Sequence, residues 1–565
     1  MSISLHFLNF DKNTRNPILK QCFKYIILAF ICSVLMQIDD AIQQLFTESN
    51  GAKFEFKFAL SLFGFHLLLW LGGNRSLAII ILVFFGLLQF SQLLHISYVG
   101  RPIDPTTISS IFSESKDISQ SVTYTWRNHL HLILAVILPY GLNIYLYWKL
   151  LPKKINNWVS SVCFLGIFLI LASKPYRATY RDLNMFLPGP TRPSLYNTLD
   201  TYSFFLIKGF PSIEEVMPKA EIPPPSLSKV NSNANTVWLV IVDSLRYDHL
   251  QAFGYERENT PLINEWFNKG LTKHKGVAAA VATAASVPLI MNAIHDPGNI
   301  NQIKSAETNL FKLAKSAGYE TTWISSQSSR VLNDLGVPYI DKLISEEDAP
   351  LLFEKEKDEG IFKFLKDFDS SKKQFVVILL RGAHSPYEEN YEHRKEFRRW
   401  EDEDALKREI RDVNSYDNSV LYIDSILDRL LTKIQALPGE NHVVITSDHG
   451  QLLGEENLWG HNILRREIAK VPIFSASWNE PEGQDFQTYF QGKAWVSHFE
   501  MSKWVAEKLG TSITYPQYNP EKAYFQGKNL YGFNQFIEVK LDNKEKLQLS
   551  EPVITPDYVP TVNHN

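Results

Sequence analysis

Up to about residue 175 the chain runs in long apolar blocks parted by short charged segments; from about residue 235 the apolar stretches shrink to strand length and alternate with helically spaced ones. A membrane-spanning helix needs roughly 20 mostly apolar residues. Five blocks qualify or nearly do: Tyr25–Phe46, Phe58–Gly72, Leu77–Val99, His131–Leu150 and Trp158–Ser173. Positive charge next to spans marks the cytoplasmic side. Lys12, Arg15, Lys20 and Lys24 precede the first block, Arg75 sits between the second and third, and Lys149, Lys153 and Lys154 lie between the fourth and fifth. With five spans these groups share one side, and the C-terminal half emerges on the other. Lys174, Arg177 and Arg181 run against this pattern, and four or six spans would reverse it. The polar tail before the first block speaks against a cleavable signal. A single span suffices as an anchor, so five suggest that this part also handles a lipid.

Pro188, Pro190 and Pro193 break the chain after the last block. Leu195–Phe210 mixes aromatic and polar residues and suits a membrane surface, and Pro218 and Pro223–Pro225 make a stiff linker. Val237–Val242 then reads as a buried parallel strand, and Thr321–Ile324, Phe375–Leu380 and Val443–Thr446 as further strands. Thr260-Pro261 signals a helix start, and Thr308 a second, with Leu310, Leu313, Ala314 and Ala317 on one face and Gly318 ending it. Val420, Ile423, Ile426, Leu427, Leu430 and Ile434 mark a strong amphipathic helix. Strands alternating with helices predict a mostly parallel sheet covered on both faces, with ligands beyond the carboxyl ends of its strands. The expected organisation is a transmembrane domain over 1–176, an interfacial helix and Pro-rich linker over 177–232, a catalytic domain over 233–550 and a tail over 551–565.

Composition adds little: 57 Lys+Arg against 61 Asp+Glu give a net charge of −4, with no sign of nucleic-acid binding. The cysteines matter more. Cys22, Cys32 and Cys163 all belong to the apolar half, so the soluble half has neither a disulfide nor a thiolate site. Any metal there must use carboxylate, imidazole or hydroxyl ligands.

Polar clusters follow three of the predicted strands: Asp243-Ser244-Leu245-Arg246, Arg381-Gly382-Ala383-His384, and Ser447-Asp448-His449-Gly450 with His461 beyond it. On neighbouring strands they would bring Asp243, Asp448, His449, His384 and His461 to one rim, a set that suits zinc or a harder ion. Singly, each residue could be a cap or a turn. The small-residue run Ala278–Pro288 offers Thr283 and Ser286 as candidate nucleophiles, and equally reads as a helix packed on the sheet with its hydroxyls bonded to backbone.

These clusters resemble the phosphoethanolamine transferases of the alkaline-phosphatase/sulfatase superfamily. The likeness runs through Val237–Arg246, Gly254-Tyr255, Thr260-Pro261, Thr283–Pro288, Trp323–Gln327, Gly382–His384, Tyr416–Asn418, Ser447–Gly450, Gly454-Glu455, His461 and Val471-Pro472. It implies an alkaline-phosphatase-like α/β domain behind about five transmembrane helices, in a bacterial inner membrane with the catalytic domain in the periplasm. It further implies zinc held by Asp243, Thr283, Asp448 and His449, Thr283 as the nucleophile that carries the phospho-intermediate, and His384 and His461 at the phosphoryl group or a second zinc. Phosphatidylethanolamine would be the donor, and lipopolysaccharide (lipid A or core) or another envelope glycan the acceptor. The chain departs from the lipid A-modifying pattern in lacking cysteines around the nucleophile, where Ala279 and Leu289 stand. Asp243 and His384-Ser-Pro-Tyr387 are also sulfatase-like, but Ser286-Val-Pro288-Leu-Ile290 has no arginine where a sulfatase needs one. The alternatives are a phosphoglycerol transferase, a phosphodiesterase or sulfatase-type hydrolase, and a catalytically inactive regulator of lipopolysaccharide level.

Overall fold

The computed structural model describes residues 17–44, 55–99, 102–105, 108, 130–151, 157–181, 186, 188, 192–209 and 218–560, apart from 333–335, 367, 370, 403–405, 481–484, 529, 531–533 and 543–545. The chain divides into two compact units, Met1–Pro211 and Ser212–Asn565.

The first unit is helical at each of the five apolar blocks: Pro17–Leu35 with a continuation at Ile38–Gln44, Phe56–Gly72, Arg75–Val99, Leu130–Leu150 and Asn157–Ala178. By length and composition four of them can cross a membrane, at Gln21–Ala41, Arg75–Ile96, Leu132–Leu150 and Trp158–Ala178. The second expected span, Phe56–Gly72, is a shorter apolar helix of 17 residues, because Gly73 in left-handed geometry ends it. Phe30, Leu87, Leu138 and Phe168 face outward, as side chains that meet lipid would. The Ser194–Lys208 helix is fastened to this bundle through its polar face. Asp40 accepts from the Ser194 N–H at 3.1 and 3.2 Å, an anion at a helix N-terminus. Thr198 Oγ1 donates to Gln89 Oε1 at 3.0 Å, and Lys174 pairs with Asp200 at 2.5 Å.

The second unit is built on an eight-stranded sheet: β1 (Thr236–Val242), β2 (Thr272–Val277), β3 (Glu320–Ser325), β4 (Lys342–Ile344), β5 (Gln374–Leu380), β6 (Asn441–Ser447), β7 (Lys470–Trp478) and β8 (Trp495–Ser497). Their order is β8-β2-β7-β6-β1-β5-β3-β4. Only β7 runs antiparallel to its neighbours, so the sheet is mostly parallel. The side chains of β1 divide between two cores. Trp238, Val240 and Val242 pack with Val420, Ile423, Leu427 and Ile434 of the Arg408–Gln435 helix. Val237, Leu239 and Ile241 pack with Val287 and Ile290 of the Thr283–Met291 helix and with Phe311 and Trp504. Burial on both faces is why β1 is apolar without alternation.

The two helix starts differ from expectation in detail. Thr260 stands at the N-cap of Pro261–Trp266, but its hydroxyl accepts from Ala252 N, and Asp424 of the long helix caps Leu262 N and Ile263 N at 2.8 and 2.9 Å. Thr308 is not a cap. Asn309 takes that place, accepting from Phe311 N and Lys312 N, while the Thr308 hydroxyl is drawn away to the Asn292 carbonyl. Asn and Thr both suit an N-cap, and here a tertiary partner decides between them. Gly318 ends this helix with φ 85°.

Candidate metal centre and nucleophile

Every strand except β7 points its carboxyl end the same way, and the functional side chains gather just past those ends. Asp243 follows β1, Asp448 and His449 follow β6, and Gln327 follows β3. One ligand atom from each of Asp243, Asp448 and His449 lies within 4.8 Å of the others, and all three residues are buried. His449 Nε2 is 3.5 Å from Asp448 Oδ2 and 3.8 Å from Asp243 Oδ1.

The backbone after β1 and β6 holds these groups in place. Ser244 takes a left-handed φ of 60°, which turns its N–H onto Asp448 Oδ1 at 3.2 Å while its hydroxyl donates to Asp243 Oδ1 at 2.7 Å. His449 Nδ1–H donates to the Gly450 carbonyl at 2.9 Å, so Nε2 keeps its lone pair toward the carboxylates. The Gly450 turn packs backbone against backbone: its N–H reaches Ile468 O at 2.7 Å, and a Cβ there would lie 2.3 Å from the Glu467 carbonyl oxygen.

Burial and the nearby Asp243 carboxylate push the Asp448 carboxyl above its ordinary range. Asp448 Oδ2 is buried with no hydrogen-bond partner. Two carboxylates, an imidazole lone pair and an orphaned buried oxygen form a donor set that fits a divalent cation of the zinc type.

Thr283 opens the Thr283–Met291 helix, with Ala282 as N-cap. Its hydroxyl lies 3.4 Å from Asp243 Oδ2 and 3.3 Å from His449 Nε2. Ser286, one turn on, is wholly buried and donates to the Asp448 carbonyl at 2.7 Å. One hydroxyl of the small-residue run therefore faces the cluster, and the other is spent on backbone.

His384 and His461 come to the same rim. The His461 ring lies 4.3 Å from that of His449 and 5.8 Å from that of His384, centroid to centroid. Gln451 donates to Tyr387 OH at 2.7 Å, which leaves its carbonyl oxygen to accept from His461 Nδ1–H at 3.2 Å. Burial, together with the His449 and His384 rings, holds His461 well below the ordinary histidine range.

Three residues to which the sequence assigned no role, Gln327, Arg246 and His498, support this arrangement. Gln327 Nε2 donates to Asp243 Oδ2 at 3.0 Å. Buried Arg246 donates to the main-chain carbonyl of Gln451 at 3.0 Å and pairs with Asp248 and Glu455. Burial alone would raise Asp248, but Arg246 and Lys470 outweigh it and hold that carboxyl at about 2. His498, just past β8, accepts from Ala279 N at 3.0 Å and meets Thr446 Oγ1 at 3.1 Å, tying the small-residue run to the end of β6. Burial pushes His498 down to about 3, so it serves as a neutral ring. No local pattern in the sequence marks it, because both of its partners lie far along the chain.

Residues 235–534 match the family described as Sulfatase. A putative transferase YhbX of Escherichia coli O157:H7 is 25% identical over 325 residues, 56% of each chain. The Kdo(2)-lipid A phosphoethanolamine 7''-transferase of Escherichia coli strain K12 is 25% identical over 262 residues, 43% of this chain and 44% of that one. The chain thus spans about half the length of the curated relatives it matches. In fold it resembles the integral membrane protein lipooligosaccharide phosphoethanolamine transferase A (EptA) from Neisseria meningitidis. That likeness has a TM-score of 0.57 at 18% identity and covers 86% of this chain and 96% of that structure.

Proposed function

The chain belongs to the sulfatase family, and from that premise we propose that it transfers phosphoethanolamine from phosphatidylethanolamine to lipopolysaccharide, at lipid A or core, or to another envelope glycan. The observation that carries this reading is the Thr283 hydroxyl, at the start of a helix and between Asp243 and His449. The names of the relatives support the chemistry, and one of them names lipid A as acceptor.

In the first step Thr283 Oγ1 bonds to the donor's phosphorus as the bond to the diacylglycerol oxygen breaks. Thr283 loses its proton, and the departing oxygen gains one. In the second step an acceptor oxygen takes the phosphoryl group and restores the threonine. Zinc held by Asp243, Thr283, Asp448 and His449 would supply the positive charge that favours loss of the hydroxyl proton. The helix N-terminus at Thr283 adds partial positive charge where phosphoryl oxygens gather. His461, with Nδ1–H engaged by Gln451, keeps Nε2 for a phosphoryl oxygen or a proton, beside His384. Such a reaction suits a catalytic domain on the periplasmic face of an inner membrane, which requires Phe56–Gly72 to cross along with the four longer helices.

The test is the covalent adduct. Full-length protein incubated with a labelled phosphatidylethanolamine analogue should gain the mass of one phosphoethanolamine, mapped by peptide sequencing to Thr283. Thr283→Ala should lose adduct and transfer while melting close to wild type. Adduct on Ser286, or transfer by Thr283→Ala, would overturn the assignment.

A further inference from the structure

A second cluster of metal-type ligands lies at the opposite end of the sheet from Thr283, and the proposed reaction makes no use of it. Glu440 precedes β6, His442 is the second residue of that strand, Ser477 lies near the end of β7, and Glu480 follows it. One ligand atom from each of Glu440, His442 and Glu480 lies within 4.8 Å of the others.

The hydrogen bonds set the ring's tautomer. His442 is wholly buried, and its Nε2 stands 2.9 Å from Glu440 Oε1, an atom that only accepts. Nε2 therefore carries the hydrogen, and Nδ1 of the neutral ring offers a lone pair. Nδ1 faces Ser477 Oγ at 2.9 Å and Glu480 Oε2 at 3.7 Å. The Glu480 side chain is only 4% exposed, and Oε2 is buried without a hydrogen-bond partner. Nδ1 can accept the Ser477 hydroxyl proton, so Glu480 Oε2 is the atom left short: a buried carboxylate oxygen without a partner costs free energy unless a cation comes to it, and a cation there would take the Nδ1 lone pair as the Ser477 hydroxyl turns its proton away.

Lys508 does not fill that role. It pairs with the other oxygen, Oε1, and leaves Oε2 as it is. The separation also fits: two ligands about 2.1 Å from one tetrahedral ion stand about 3.4 Å apart. A carboxylate that accepts from the far nitrogen of a histidine is the usual support for a metal-ligating imidazole, and Glu440 is so placed.

We propose that His442 Nδ1 and Glu480 Oε2 hold a second divalent cation of the zinc type, with Ser477 Oγ beside it and Glu440 orienting the ring. The site is structural. It joins the start of β6 to the end of β7, next to the Glu440 carbonyl that receives Asn235 N at 2.7 Å where the chain enters β1.

The experiment uses full-length protein in detergent, stripped with chelator, titrated with zinc chloride alone and freed of unbound metal before elemental analysis. Wild type should retain one equivalent more than Glu480→Gln or His442→Gln. Asp448→Ala, which damages the catalytic cluster, should keep that equivalent, with an absorption spectrum at the zinc edge showing nitrogen and oxygen ligands. Equal zinc in wild type, Glu480→Gln and His442→Gln would overturn the proposal. So would an Asp448→Ala protein that retains none, a measurement that leaves the second cluster intact and holds even where the other variants fail to fold.

Discussion

The strand β6 carries a histidine and carboxylates at each end, and the two ends differ in what balances their charge. Past its carboxyl end, among the described residues, neither Asp243 nor Asp448 pairs with a lysine or arginine; both face the His449 ring and the Thr283 hydroxyl. At its amino end Lys508 pairs with Glu480, and the nearby hydroxyl is Ser477, inside a strand and not at a helix start. Similar ligand types thus occur in two settings. What marks the proposed catalytic end is a hydroxyl at a helix N-terminus beside anionic groups that, among the described residues, pair with no lysine or arginine.

The comparison is tested most severely at Asp448. Asp448→Ala in the full-length protein should lower transfer by more than about 100-fold, beyond the loss that follows when only a ligand's supporting partner is removed. It should also lower zinc content, read by elemental analysis; full transfer would mean that the two ends had been told apart wrongly. Gln451→Leu is expected to do less. It removes the acceptor that orients His461, so transfer should fall about 10- to 100-fold with zinc retained. A fall equal to that of Asp448→Ala would give His461 a share in metal binding. Ser286→Ala should have the smallest effect. It takes the donor from the Asp448 carbonyl, at a cost of about 1 kcal/mol visible as a small drop in melting temperature, with most of the transfer activity kept.

Much of this architecture could be read from residue order. β1 and β5 are buried on both faces and so appear as long apolar runs, while β6, equally buried, shows only the short run Val443–Ile445. The clusters after them follow from the rule that parallel sheets bind ligands at carboxyl ends. β2, with the sequence Thr-Lys-His-Lys-Gly-Val, is half polar and only partly buried, so it has no such signature. β7 was hidden by Pro472, which argues against a strand. The proline is tolerated because pairing with β6 begins only at Ile473; its carbonyl accepts from Thr446 Oγ1, so its nitrogen faces the same way, beyond the end of the ladder. In the candidate centre, Thr283 and Ser286 could not be separated by local sequence alone. Their difference is tertiary: the Asp448 carbonyl lies within reach of one and not the other. The same holds for Gln451, Arg246 and His498, whose partners lie far along the chain.

The Gly450 turn has a consequence for how this protein can drift over generations. A first side-chain carbon at that position would strike a main-chain carbonyl, whereas an added carbon at Gly64 meets no atom within 4 Å. Any side chain at 450 would force the main chain at Glu467 and Lys470 to shift, and a smaller neighbouring side chain would not relieve it, since the obstacle is backbone. A lineage that lost the proposed reaction would be free to abandon Thr283, yet the fold would still need the glycine. The turn is thus a marker of descent that would outlast the activity proposed beside it.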